Sequence, residues 1–199
     1  MLNAGELPLP PTLLVTLRRC YAEPHRHYHA LAHVEALLRW LARYQTLALD
    51  RASIDAAIWF HDAVYDTRRQ DNEPGSAAMA AKALGAIGWS AAAIERVVTL
   101  VLATQHHQAD PADRDAWLFL DLDLSVLGQS AAHYAAYAHA VRAEYAWVEE
   151  PAYQSGHTRV LKGFLAREQL YRTPVLREAW TAAARRNLQN ELAALSPAG

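Results

Sequence analysis

Apolar positions recur at intervals of three and four along almost the whole chain. Leu13, Leu14 and Leu17 fall on one side of a helix, and Leu31, Val34, Leu37, Leu38 and Leu41 form a longer stripe of the same kind, as burial of one helix face requires. The two-residue alternation of a half-buried strand is rare. The pattern predicts helices over residues 11–22, 29–46, 50–63, 75–86, 90–106, 112–128, 130–148, 156–170 and 174–195. Two starts have a local chemical cause. Asp110-Pro111 and Thr173-Pro174 each set a capping oxygen before a proline whose missing N–H costs nothing in a first turn. The polar stretch Asp66–Ser76 is the longest without apolar periodicity. It follows a helix carrying His61 and Asp62, so it is expected to connect helices at the rim of any site there.

Composition narrows this to an all-α fold. Of 199 residues, 52% are hydrophobic and 20% charged, a balance that supports a packed core and excludes disorder. Gly 8 and Pro 9 fall below the roughly 12% those residues average, too few for the turns of a β-sandwich. The net charge of −2 provides no global positive field for a nucleic-acid duplex or an anionic membrane. The one cysteine, Cys20, excludes an internal disulfide, and the first residues lack a basic segment followed by an apolar one, so a cytoplasmic location is expected. The longest apolar stretches, such as Val97–Ala103, are interrupted by Thr99 and fall far short of the ~20 residues of a membrane span.

Histidine changes the picture. Four of the 10 histidines lie within His25–His33, one is His61, and two are His106 and His107. His29 and His33 stand four apart, which on a helix places both rings on one face. His61-Asp62 ends an apolar helical stretch, where a charged carboxylate needs a partner, and a metal beside a neutral imidazole supplies one. In Trp117–Leu127, Asp121 and Asp123 interrupt an apolar run. On a helix they point about 200° apart, so only one can reach a given ion, whereas a strand would present both. Helix is preferred, because Asp110-Pro111 and Gly128 bracket the run.

The order His33, His61-Asp62 and an Asp about sixty residues later resembles the HD superfamily of metal-dependent phosphohydrolases. The resemblance covers residues 25–128. It implies an HD-like helical bundle forming one domain over residues 1–199, with residues 130–195 as a C-terminal helical extension. Tyr28–His33 and Asp123-Leu124-Ser125 look like stretches of cyclic-nucleotide phosphodiesterases of that superfamily, which favours Asp123 over Asp121 as fourth ligand. Glu23–His29, Phe60–Asp66, Asn72-Glu73, Thr104–His107 and Arg185–Leu192 are similar to a subgroup of small predicted HD phosphohydrolases. One departure is Ala30, where the phosphodiesterases carry Asn, and their specificity elements are not recognisable. Cyclic nucleotides are therefore not the expected substrate.

The resemblance implies that His33, His61, Asp62 and Asp123 hold one divalent ion, with Mn, Mg, Fe, Co and Zn all suited to mixed nitrogen and oxygen donors. Two imidazoles and two carboxylates leave coordination positions open, unlike a cysteine-closed structural zinc site. The expected activity is hydrolysis of a small phosphate ester, nucleotide or nucleotide-like pyrophosphate, with Asp62 in a catalytic role. His29 would donate a proton to the leaving oxygen. Arg26 offers a fork for phosphate, His107, or less favourably His106, a contact to phosphate or a second metal, and Glu73 a group to activate water. Two alternatives stand beside this: a di-iron oxygenase on the same scaffold, with His29 and His107 as extra ligands, and a non-catalytic regulatory or binding protein that keeps its metal for structure.

Overall fold

The computed structural model describes residues 9–195. The regular structure among them is all helical: α1 (Pro11–Cys20), α2 (Leu31–Arg43), α3 (Arg51–Phe60), α4 (Asn72–Ala86), α5 (Ala91–Ala103), α6 (Arg114–Asp123), α7 (Ala131–Glu144), α8 (Glu150–Ala166) and α9 (Pro174–Leu195), with 3-10 turns at Gln45–Leu47 and Leu124–Gly128. None of the described residues is a strand, and no described helix is long and apolar enough to cross a membrane. The chain divides into two compact units that meet between Leu122 and Asp123.

In the first unit α3 is the central element. Ile54, Ala56, Ala57, Ile58 and Phe60 are all buried, so α3 shows almost no polar face, and α2, α4 and α5 pack around it. Each large side chain of this kind removed from water contributes roughly 1.5–3 kcal/mol. Polar bonds fix where α3 begins. The Asp50 carboxylate accepts the Ser53 N–H at 3.0 Å, a side-chain cap on an otherwise unpaired donor. Buried Asp115 on α6 accepts the Leu49 and Asp50 N–H groups at 2.8 and 2.7 Å. Ser76 on α4 accepts the Val64 N–H at 3.0 Å and donates to the Val64 carbonyl at 3.2 Å, which holds the chain just beyond α3.

In the second unit the Leu124–Gly128 turn packs against α7 and α9, and α8 packs against α9. A Cβ at Gly128 would lie 2.5 Å from Trp180 Cβ, so α9 approaches that turn closely. Asn187 Nδ2 donates to the Leu127 and Gln129 carbonyls at 2.8 and 3.0 Å. Arg185 donates to the Leu165 and Arg167 carbonyls at 3.1 and 2.7 Å, pairing acceptors that the end of α8 would leave open.

Four helix starts differ from the sequence pattern by two residues or more, and seven helices, α6 at Asp123 among them, end two to five residues earlier than the pattern predicts. Helix α2 begins at Leu31, with Ala30 extended, so His29 precedes the helix instead of lying on it. Helix α4 starts at Asn72, because Asn72 exchanges hydrogen bonds with the Asp66 backbone at 3.0 and 3.1 Å and shortens the connector. Asp110 caps only a preceding turn through Ala112 N–H, while Asp113 accepts the Ala116 N–H at 2.9 Å and starts α6. Helix α8 begins at Glu150, with a proline in its first turn, whereas α9 begins at Pro174 as the Thr173-Pro174 signal predicts.

Candidate metal centre

Three side chains from two helix ends converge. His33 lies in the first turn of α2, His61 is the residue that closes α3, and Asp62 follows it. One ligand atom from each lies within 4.8 Å of the others. His61 Nε2 is 3.0 Å from Asp62 Oδ2, His33 Nε2 is 3.9 Å from the same oxygen, and the two Nε2 atoms are 3.2 Å apart. Bonds of ~2.0–2.2 Å to one ion would place neighbouring donors about 3 Å apart, and these separations are of that size.

The local fold decides which atoms face inward. His61 Nδ1–H donates to the Ile58 carbonyl at 3.0 Å, which leaves Nε2 as the lone-pair end facing Asp62 and His33. Both imidazoles are buried, and the Asp62 side chain is 16% exposed, so water screens the group poorly. Burial pushes the Asp62 carboxyl up, but with the rings protonated the positive charge of His61, His29 and His33, together with the Nε2–H that His61 then donates, outweighs it and holds Asp62 well below the usual carboxylate range. A cation bound at Nε2 would take the place of that proton. Asp62 is thus an anion facing ring nitrogens. Converging lone pairs and a carboxylate repel one another unless a proton or cation sits among them, so the donor set suits a metal ion.

Aromatic rings wall the group. The Tyr28 ring lies 4.8 Å from His33, and Phe119 meets His61 edge-on at 5.8 Å. His29 stands outside the three, its ring 6.1 Å from His33 and stacked on Tyr65 at 4.2 Å. It reaches this place from the segment before α2, not by the helical spacing of four.

Arg26 is placed differently from a phosphate fork. Its side chain is 0% exposed, and all five N–H groups are engaged. Nε and Nη2 face Glu23 Oε2 at 2.9 Å each, Nη1 donates to the His29 and Asp62 carbonyls at 3.1 and 2.6 Å, and Nη2 donates to the Ala63 carbonyl at 3.2 Å. No N–H remains for a phosphate, which overturns that expectation.

The other sequence candidates are not members of the three-residue group. Glu73 is half-buried in the first turn of α4, a position where the helix dipole favours an acid. His107 follows α5 with a left-handed φ of 48°, and His106 beside it is exposed. Asp121 is buried on α6, and half-buried Asp123 opens the second unit. The sequence reading passed over a polar group in the second unit: Tyr134 donates to Glu191 at 2.5 Å, and His157 lies 2.8 Å from the other carboxylate oxygen. Its members sit 23 and 34 positions apart, so no local spacing signalled it.

Comparison with protein-family models, with curated proteins and with solved structures gives no match for this chain.

Proposed function

We propose that this protein is a divalent-metal-dependent phosphohydrolase of the HD type, acting in the cytoplasm on a small phosphate ester, nucleotide or nucleotide-like pyrophosphate. The observation that carries the proposal is the convergence of His33 Nε2, His61 Nε2 and Asp62 Oδ2 within 3.0–3.9 Å of one another. Asp123, which the Asp123-Leu124-Ser125 resemblance favours over Asp121, is the fourth donor of this proposal. A divalent ion held there would polarise a phosphoryl oxygen and make a nearby water more acidic.

The protein's own groups supply the rest. Asp62 stays ionised and contributes the negative charge of the donor set, while the Ile58 carbonyl fixes the His61 tautomer. His29 lies one ring away from the donors, close enough to pass a proton to a leaving oxygen without joining them. Buried Phe119 and half-buried Tyr28 limit the water around the group, which strengthens its electrostatics.

The test is a screen of the purified chain, with Mn, Mg, Fe, Co or Zn supplied singly, against nucleotides, phosphomonoesters and dinucleotide pyrophosphates. Turnover is expected only with a metal, abolished by chelator and by Asp62→Ala, and reduced by Asp123→Ala. Chelator-resistant turnover or a fully active Asp62→Ala would sink the proposal. One observation favours a second reading: two imidazoles and one carboxylate are also the donor set of non-haem iron oxygenases. Iron-dependent oxygen consumption without phosphate release would select it.

A further inference from the structure

Beyond the ligands themselves, Arg26 bonds three backbone carbonyls of this region. Resting on the metal-centre reading above, we infer that Arg26 is the positioning residue of the centre, holding Asp62 and His29 in register through their backbone carbonyls.

The need for such a residue follows from where the ligands lie. Helix α3 ends at Phe60, so carbonyls just past its end have no partner further along the helix. Asp62 and Ala63 are in that position, and the guanidinium takes both at 2.6 and 3.2 Å. The same Nη1 takes the His29 carbonyl at 3.1 Å. One planar group thus ties the end of α3 to the segment before α2, across 36 positions of sequence.

The guanidinium is itself fixed. The Tyr21 and Tyr65 rings lie 5.2 and 5.4 Å from its central carbon, cation–π contacts that favour a desolvated cation. Tyr65 is the ring on which His29 stacks, and the Tyr65 carbonyl accepts from His25 Nε2 at 2.8 Å. Glu23 neutralises the buried charge from a carboxylate whose side chain is 45% exposed. Lysine has three N–H groups on one atom and cannot span the acceptors that arginine reaches with five in a plane.

Mn²⁺ binding is measured by isothermal titration on the wild-type chain, Arg26→Lys, Glu23→Gln and Arg96→Gln, with Co²⁺ absorption spectra of each. Arg26→Lys is expected to bind Mn²⁺ about 10–100-fold more weakly, the usual effect of removing a group that orients metal ligands, and to alter the Co²⁺ spectrum. Glu23→Gln should weaken binding less. Arg96→Gln removes an arginine–carboxylate pair on α5 and should lower the unfolding midpoint without changing either metal readout. Wild-type affinity and spectrum in Arg26→Lys, or in Glu23→Gln if the lysine variant fails to fold, would overturn the inference and leave the metal centre standing. An equal loss in Arg96→Gln would overturn it as general softening. A wild-type chain that binds neither metal would remove the metal-centre reading itself, and this inference with it.

Discussion

A single backbone carbonyl, that of Ile58, decides which nitrogen of His61 faces Asp62. His29 is held instead by stacking on Tyr65, so removing its imidazole should leave the donors in place. His29→Ala is expected to keep its metal and to lose about 10²–10⁴-fold in rate, with much of that recovered on a nitrophenyl ester whose leaving group needs no proton. Metal loss in that variant would make His29 a ligand, and an unchanged rate would make it a bystander. A second prediction concerns Asp113, which Arg96 meets at 2.5 and 2.7 Å. The Arg96 hydrogen bonds, against the opposing effect of burial, hold the Asp113 carboxyl below its ordinary range. A carboxyl with a lower pKa folded than unfolded stabilises the fold above the unfolded value of about 4 and loses that contribution as pH falls through the folded value. Arg96→Gln should therefore cost about 1 kcal/mol at pH 7, and urea unfolding at pH 3 should show a smaller difference from wild type. An undiminished difference at pH 3 would refute the assignment. The sequence already displayed His33, His61 and Asp62, because histidine beside acid at a helix end is a local pattern. The positioning role of Arg26 was not legible, because the Asp62 and Ala63 carbonyls it holds lie more than thirty positions away and only the folded chain shows that its donors are used up.

Helices were largely legible, since one buried face leaves a period of three to four. What misled at their ends was competition between neighbouring capping groups. Asp110 and Asp113 both offer a carboxylate, and only the pairing of Asp113 with Arg96 shows which one starts α6. Helix α8 carried a subtler signal, the proline of Glu149-Glu150-Pro151 in its first turn, and the apolar period begins only later. Two glycines on such elements should respond oppositely to alanine. At Gly128 the new methyl would lie 2.5 Å from Trp180 Cβ and 3.2 Å from its Cα, a backbone clash that should cost about 1–3 kcal/mol. At Gly163, inside α8, it would meet nothing within 4 Å, and the gain in helix propensity should add about 0.5–1 kcal/mol. Denaturant midpoints of the two variants test this, and shifts of the same sign would contradict it.

At the scale of the whole molecule, the border between the units has no loop. Helix α6 ends at Asp123 and the 3-10 turn starts at Leu124, so Leu122 and Asp123 are consecutive residues of one helix. Proteases need extended, accessible backbone. A broad-specificity protease should therefore cut first in the connector before α4, where Arg68, Arg69 and Gln70 are exposed, or between α5 and α6. Mass spectrometry of early products checks this, and an early fragment beginning at Asp123 would contradict it. The absent linker also bears on how such a chain can change by recombination. A crossover at 122/123 would pass through the hydrogen-bonded last turn of α6, and one near residues 129–130 would part the Leu124–Gly128 turn from α7 and α9, so a foreign C-terminal part joined at either place should give a hybrid that folds worse than the parent.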